Sequence, residues 1–415
     1  MLTMSLKILV PFVLILQILP IFIWMERKGA SYIQDRRGPN RANIFGIRLG
    51  GMVHTLPDVI KLIFKEDIIP TRANRFIYTI APFISMTVAC MTFAVIPWAA
   101  PLTLDSGSFA LQALEMNVGI LYIFAIASIG VYGVMLAGWG SNNKYSLMGG
   151  LRASSQMISY ELTLSLSIVG VLILSGSLEL GAIVESQSAN ILSWNFIRQP
   201  LGCILFLVAA VAETNRTPFD LPEAEAELVA GYHTEYSSLK FALFYMAEYV
   251  NMIIASALIA TLFFGGWQVP FISTELLREH ADLIIHYSLL AAGVGSILGS
   301  IPLFLYKSRV RYGDARDTET KKISIAMFVL GIALVAWRLG AGEFFFEGLA
   351  AQIAAAALQL GIFIAKILFF CWFFVWIRWT LPRFRYDQLM QLGWKAMLPL
   401  ALLNLFITAG VYLLV

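Results

Sequence analysis

A dense group of carboxylates in the middle of the chain is the clearest candidate for chemistry. The 15 residues from Glu213 to Glu227 hold five acidic side chains and a single cation, Arg216. The acids are Glu213, Asp220, Glu223, Glu225 and Glu227, and Glu235 follows shortly after. Helix capping and the helix dipole would explain Asp220 and Glu223, but not the others. Because close carboxylates raise one another's pKa, the group predicts a protonatable or cation-pairing site.

Three further ionisable side chains lie inside long apolar runs. Glu161 and Glu248 fall about 5 and about 8 residues into their runs, which is roughly 8 and 12 Å along a helix, and Lys366 falls near the middle of another run. A charge at that depth in a membrane costs about 3 kcal/mol or more, so such residues usually face a hydrated cavity. An inert pair, such as Glu248 with Lys366, is the alternative. With the acidic group, they favour a proton relay that starts at that group, has Glu213 and Glu161 below it, and continues deeper to Glu248 and Lys366.

A second group of residues is basic. Arg27 ends the first apolar run, and Arg36 lies beside a turn formed by Gly38-Pro39-Asn40. Arg378 ends the ninth apolar run and could join the same face. An arginine-lined mouth at the membrane surface would suit a lipophilic ligand with a polar head. A plain positive anchor on the cytoplasmic side would explain the charges but not the specific turn.

The composition places these residues in a membrane. The chain has 415 residues, of which 59% are hydrophobic and 13% charged, and its mean hydropathy is +0.77. A soluble domain carries about a quarter charged residues, so we predict an integral membrane protein. Cys90, Cys203 and Cys371 stand apart, and the four histidines lack ligand spacing. The sequence therefore predicts no iron–sulfur cluster and no metal site within this chain.

Ten apolar runs approach the 20 or so residues that a helix needs to cross a bilayer. They lie near residues 4–25, 76–98, 117–139, 156–178, 198–213, 240–265, 283–306, 323–341, 356–378 and 394–415. We therefore expect an all-α, polytopic transmembrane helix bundle of about ten spans. The segments 26–75, 140–155, 214–240, 307–322 and 378–395 hold 24 of the 29 lysines and arginines. The positive-inside rule puts these segments in the cytoplasm and both termini on the opposite side.

The long polar segment 26–75 contains a short amphipathic pattern. Apolar residues recur at helical spacing between Met52 and Phe64, and polar residues take much of the other face. The pattern predicts a short helix that lies in the cytoplasmic-side interface of the membrane. Packing of the same apolar face onto the bundle is the alternative.

Together these motifs resemble those of one family of membrane proteins. The stretches that carry the resemblance are Glu26-Arg27-Lys28, Gln34-Asp35-Arg36, Gly38-Pro39-Asn40, Asp58 to Lys61, Lys65-Glu66-Asp67, Ser159-Tyr160-Glu161-Leu162, Ala212 to Asp220, Ala247-Glu248-Tyr249 and Pro382 to Gln388. They are similar to the H subunit in the membrane arm of respiratory complex I, the counterpart of mitochondrial NADH dehydrogenase subunit 1. The resemblance covers about 1–270 and 350–415, and the motif that begins at Glu213 is highly specific.

The resemblance implies a function that spacing alone does not show. In the family, this membrane protein forms part of the chamber where the substrate quinone enters from the bilayer, and a glutamate funnel couples quinone reduction to proton translocation. The implied chamber residues are Arg27, Arg36, Asp58 and Arg378. The implied funnel residues are Glu161, Glu213, Glu223, Glu225, Glu227, Glu235 and Glu248, to which the argument from buried charge adds Lys366.

The resemblance also implies partners and a location. The chain would contact the hydrophilic quinone-site subunits and the adjacent small membrane subunits of complex I, in a bacterial inner membrane. FMN and iron–sulfur clusters are expected in partner subunits, because this chain has no ligands for a cluster. Two alternatives stay open. One is the equivalent subunit of a ferredoxin- or deazaflavin-fed complex or a membrane hydrogenase, and the other is a stand-alone cation/proton antiporter.

The sequence departs from the family pattern at several places. The family usually has eight spans, so we expect residues 270–347 to be an insertion with two extra transmembrane helices in an otherwise single 1–415 domain. Gly295 and Gly299 within it predict a helix-packing contact. His54 stands where the family more often has glutamine, and Arg37 stands where an aliphatic residue is common.

Overall fold

The protein is an almost entirely helical bundle. The computed structural model describes residues 2–44, 49–104, 107–187, 190–220, 230–305, 318–340 and 348–414. The helices are α1 (Leu2–Ile33), α2 (Thr55–Phe64), α3 (Arg75–Thr92), α4 (Gly119–Gly140), α5 (Lys144–Ser175), α6 (Leu180–Ser186), α7 (Asn195–Arg198), α8 (Pro200–Glu213), α9 (Ser238–Phe263), α10 (Thr274–Glu279), α11 (Ala281–Leu305), α12 (Glu319–Gly340), α13 (Leu349–Thr380), α14 (Tyr386–Gln391) and α15 (Leu398–Leu414). Two short antiparallel strands, β1 (Leu102–Leu104) and β2 (Gly107–Phe109), pair in a hairpin.

The expected all-α membrane bundle is confirmed. Among the described residues, eight helical segments are long and apolar enough to cross a membrane. They are α3, α4, α5, α9, α11, α12, α13 and the α14–α15 pair. The other two expected spans coincide with α1 and with α8, which has 14 residues and is about 21 Å long. Since an apolar core is about 30 Å thick, the total of ten spans stays a prediction.

Helix α9 is the centre of the bundle. Its side chains are largely buried, and it packs against α1, α3, α8 and α13. Small residues on α9, including Ala257 and Ala260, are fully buried and let neighbouring backbones come close. As a result α9 can carry a polar side chain into the interior and still be surrounded by packed helices.

The helix pair α11–α12 lies at the edge of the bundle. The two helices pack on each other, and most of their remaining surface is exposed. Their closest approach is at Gly293 and Gly331, where an added Cβ on either residue would crowd the backbone oxygen of the other. Of the two glycines predicted at a helix contact, Gly299 faces Met327 of α12 at van der Waals distance, whereas the prediction for Gly295 is wrong, because nothing lies within 4 Å of a Cβ built there. The assignment of 270–347 as an insertion stays a prediction.

Helix α2 has an exposed apolar face. Leu56, Val59, Ile60 and Ile63 are each more than half exposed, and Phe64 is 84% exposed. Polar contacts hold the helix in place, since Ser238 Oγ donates to the carbonyl oxygens of Leu62 and Lys65. The apolar face is therefore not packed onto the bundle, which favours the predicted interfacial helix over the alternative.

Candidate functional site

A buried cluster of charges joins four separate parts of the chain. The guanidinium of Arg216, in the loop after α8, lies 3.7 Å from Glu26 Oε1 on α1 and 3.5 Å from Glu248 Oε2 on α9. Arg378, in the last turn of α13, donates a hydrogen bond to Glu26 Oε1. Because Glu26 and Arg216 are only about one-twentieth exposed, removing either partner would leave a buried charge uncompensated.

The position of Arg216 is fixed by its backbone and by aromatic rings. The preceding residue, Asn215, has a left-handed φ of 50°, which asparagine tolerates better than most residues. Gln156 Nε2 donates to Asn215 Oδ1 at 3.0 Å. The guanidinium lies 4.6 Å from the ring centre of Tyr249 and 5.7 Å from that of Tyr245. Burial alone would lower the pKa of Arg216, but the nearby carboxylates raise it well above its usual value, so the side chain stays charged.

On one side of this cluster lies a cavity of about 610 Å³. The predicted residues Arg27, Arg36 and Arg378 all line it, together with Glu26, Ala30, Arg37, Gly38, Pro39, Asn40, Arg41, His54, Tyr245, Tyr249 and Trp379. Asp58, the fourth predicted chamber residue, forms an ion pair with Arg27. The structure therefore brings the three predicted arginines to one cavity and pairs Asp58 with one of them.

On the other side lies a smaller cavity, which we call the acidic cavity. It has a volume of about 90 Å³ and is lined by Glu213, Glu248, Asn215 and Tyr232, among other residues. Tyr232 Oη donates to Glu248 Oε1 at 2.9 Å. Most of the lining is apolar, but next to the two carboxylates and the tyrosine hydroxyl there is room for a few water molecules. Glu213 and Glu248, predicted from widely separated parts of the sequence, thus face one space.

Glu161 lies beside the acidic cavity. Its carboxylate accepts a hydrogen bond from Ser128 Oγ on α4 and is close enough to interact electrostatically with Glu213. Glu235 lies elsewhere, where Asn143 Nδ2 donates to its Oε1 at 2.5 Å and both residues line a groove at the helix ends. The same asparagine caps the start of α5. Glu223, Glu225 and Glu227 lie outside the described residues.

Lys366 is not brought to this group. Its Nζ donates to three backbone carbonyls just beyond the end of α9, those of Phe264, Gly266 and Gln268, at 2.8, 2.8 and 2.9 Å. Phe264 lies 16 residues after Glu248, roughly 24 Å along the helix. Lys366 therefore does not continue the glutamate series, because its ammonium group lies at the turn that follows α9 and is hydrogen-bonded to backbone carbonyls there.

The structure adds residues that the predicted site did not include. Arg216 and Glu26 join the two cavities, and the only sequence signal for Arg216 was its position as the single cation among carboxylates. Asp220 lies near them and pairs with Arg383 Nη2 at 3.6 Å. Burial, only partly offset by Arg383, raises the pKa of Asp220 to about 6. Within the described ranges, no three His, Cys, Asp or Glu side chains are grouped so as to hold a metal ion.

Comparison with known proteins gives a consistent result. A family model described as NADH dehydrogenase matches residues 6–409. An H subunit of NADH-quinone oxidoreductase from Cytophaga hutchinsonii is 42% identical over 94% of this chain and 91% of its own length. The corresponding protein of Solibacter usitatus is 44% identical over 93% and 90%. The H subunit of the same oxidoreductase from Bdellovibrio bacteriovorus is 39% identical over 98% and 95%.

Fold, cavities and comparisons define a membrane component of a respiratory oxidoreductase. The chain belongs to the NADH dehydrogenase family of membrane subunits, as the H subunit of NADH-quinone oxidoreductase, or complex I. The relatives are named as subunits of an oxidoreductase that acts on quinone, and the long apolar helices of this chain show a membrane location. The predicted family and the membrane location are confirmed, and membership of this family argues against a stand-alone antiporter. The roles of individual residues and the sidedness of the termini stay predictions.

Proposed function

We propose that the 610 Å³ cavity is this chain's part of the quinone chamber and that the acidic cavity begins the proton route. The observation that carries the proposal is the position of Arg216. Its guanidinium lies between Glu26, which lines the larger cavity, and Glu248, which lines the acidic cavity. One buried cation thus contacts the walls of both spaces.

The larger cavity suits the head group of a quinone. Arginine side chains offer several donors to carbonyl oxygens, and their charge stabilises the negative charge that a quinone gains on reduction. Arg27 is held by Asp58 and Arg378 by Glu26, so two of the guanidiniums are oriented before a ligand arrives. This chain supplies binding and electrostatics, whereas the electron would come from an iron–sulfur cluster of a partner subunit.

Charge in the larger cavity would affect the acidic cavity through Arg216. Extra negative charge beside Glu26 attracts Arg216 and weakens its pairing with Glu248. Glu248 would then have less positive charge beside its carboxylate, and it would take up a proton through the water and hydroxyl groups around it. Glu213 and Glu161 are the next carboxylates in this direction. We assign Glu223, Glu225, Glu227 and Glu235 to the entry side, on the loops expected to face the cytoplasm.

The same proposal fixes the orientation of the chain. The segments that hold the cavities carry most of the lysines and arginines, which supports a cytoplasmic location for this side of a bacterial inner membrane. With an even number of spans, both termini face the periplasm. The hairpin α11–α12, at the edge of the bundle, would then be an added pair of spans that leaves the orientation of α13 and α15 unchanged.

Replacing Arg36 tests the assignment of the larger cavity. Arg36→Ala removes one cation from its wall, and we expect the KM for quinone to rise roughly fivefold, which corresponds to the loss of about 1 kcal/mol. NADH oxidation with an artificial acceptor that bypasses quinone should stay at the wild-type rate. Arg152→Ala is a matched control, since Arg152 is exposed and does not line this cavity. Equal loss of both activities in Arg36→Ala would indicate an assembly role instead.

A further inference from the structure

One wall of the larger cavity is a loop that is held by a histidine. The loop 36–44 supplies Arg36, Arg37, Gly38, Pro39, Asn40 and Arg41 to the cavity. His54, at the start of α2, lines the same cavity. Its Nε2 lies 3.1 Å from the backbone nitrogen of Arg41 and 3.0 Å from that of Ala42. A single ring nitrogen therefore accepts from two consecutive N–H groups at the far end of the loop.

These two hydrogen bonds define the protonation state of the ring. Backbone N–H groups can only donate, so Nε2 of His54 must carry a lone pair and no proton. The imidazole is therefore neutral, with its proton on Nδ1. Protonation would convert the acceptor into a donor that points at two other donors, and both hydrogen bonds would be lost.

The surroundings of His54 add to this effect. The other charged or titratable groups that face this cavity are Glu26 and Arg27 of α1, Arg36, Arg37 and Arg41 of the loop, Tyr245 and Tyr249 of α9, and Arg378 of α13. Asp58, one turn further along α2, is paired with Arg27, and Glu26 is paired with Arg378 and lies beside Arg216. A positive His54 would therefore face several arginines whose nearby carboxylates are already engaged.

Two other fixed points at this loop do not depend on protonation. The backbone nitrogen of Arg36 donates to the carbonyl oxygen of Ser31 at 2.8 Å. Gly51, with φ of 92°, brings the turn before α2 against the carbonyl of Pro39, so closely that a Cβ at Gly51 would clash with it. His54 thus accepts hydrogen bonds that depend on its protonation state, and these bonds hold the Arg41–Ala42 end of the loop.

From this geometry we infer that His54 is a positioning residue that fastens the loop 36–44 over the larger cavity when neutral and releases it when protonated. The effect on quinone rests on the proposed function of the cavity, but the fastening itself does not. Release would move the arginines of the loop away from the ligand. The expected consequence is weaker substrate binding at acidic pH with little change in turnover at saturation.

Hydrogen exchange on the purified complex tests the fastening directly. Exchange of the peptide that covers 36–44 is measured at about pH 8 and about pH 5.5, which bracket the usual imidazole pKa of about 6.5, and is corrected for intrinsic exchange rates. We expect the corrected exchange rate of the wild-type peptide to be roughly fivefold higher, or more, at the lower pH. His54→Gln keeps an acceptor that does not titrate, so its peptide should be equally protected at both values. His286→Gln, on the outlying helix α11, should behave as the wild type does.

The KM for quinone is then measured over the same pH range. We expect it to rise severalfold in the wild type on acidification and to stay level across this range in His54→Gln. Equal protection of the wild-type peptide at both pH values, or a His54→Gln peptide as sensitive to pH as the wild type, would overturn the inference. If the exchange rate changes with pH but the KM for quinone does not, the result would support the role of His54 in holding the loop. It would count against quinone as the ligand of the cavity.

Discussion

Asp220 shows how a single residue makes the site sensitive to pH. It lies in the loop after α8, its side chain is 9% exposed, and Arg383 is 3.6 Å away. Burial raises its pKa from 3.8 to about 6, because Arg383, Arg378 and Arg216 together offset only part of the cost of removing the carboxylate from water. A carboxyl group with a higher pKa in the folded state binds its proton more tightly when folded. The folded state therefore loses stability as the pH rises from 3.8 to about 6.

Replacing Asp220 by asparagine should remove this loss. A shift of about two pKa units corresponds to about 3 kcal/mol, so above about pH 6 the Asp220→Asn variant should be the more heat-stable protein. The difference should close as the pH falls to about 4. The measurement is the midpoint of thermal denaturation of the purified complex across this range, with the exposed Asp387→Asn as control. A difference that did not vary with pH would contradict the account of Asp220.

At the scale of helices, Lys366 ties the end of α9 to the middle of α13. The last carbonyls of a helix lack partners within the helix, and the left-handed Gly265 and Gly266 turn the chain so that three carbonyls point at one ammonium group. The ring of Trp194 lies 4.6 Å from the same nitrogen. This arrangement satisfies the charge fully with backbone oxygens. It indicates a structural role for a residue whose position in the sequence suggested a relay.

Removing this ammonium group should therefore affect stability more than coupling. In Lys366→Met the three carbonyls lose a charged donor, and we expect the complex to be destabilised by about 3 kcal/mol. Each assembled complex should still pump as many protons per electron as the wild type. Lys395→Met, at an exposed lysine, is the matched control for thermal stability. Normal stability combined with lost pumping would place Lys366 on the proton path.

At the scale of the whole molecule, the sequence predicted the spans better than their contacts. Length and polarity of a run are enough to identify a membrane helix, since the bilayer demands the same apolar stretch whatever its neighbours are. Rotation about the helix axis has no such signal. For this reason Gly295 was wrongly expected at the helix contact that Gly293 and Gly331 form.

In the candidate site, too, some residues could be predicted from the sequence, whereas their contacts could not. Glu248 could be predicted because a carboxylate in an apolar run is costly wherever it lies. Glu213 could be predicted from the dense acidic group to which it belongs, and the structure places both at one cavity. The junction of Glu26, Arg216 and Arg378 could not be predicted, since it depends on how α1, α13 and the loop after α8 meet in space. The position of Lys366 within its apolar run was also a poor guide to its contacts, because the loop after α9 turns back towards this side chain.

The central claim is that carboxylates of the acidic cavity couple quinone reduction to proton movement. The most direct measurement is proton pumping together with quinone reductase activity in proteoliposomes that contain the assembled complex. For Glu248→Gln and for Glu213→Gln we predict that both activities fall together, by about tenfold or more, while Glu185→Gln, at an exposed glutamate of α6, keeps both. Full pumping in both cavity variants would contradict the account.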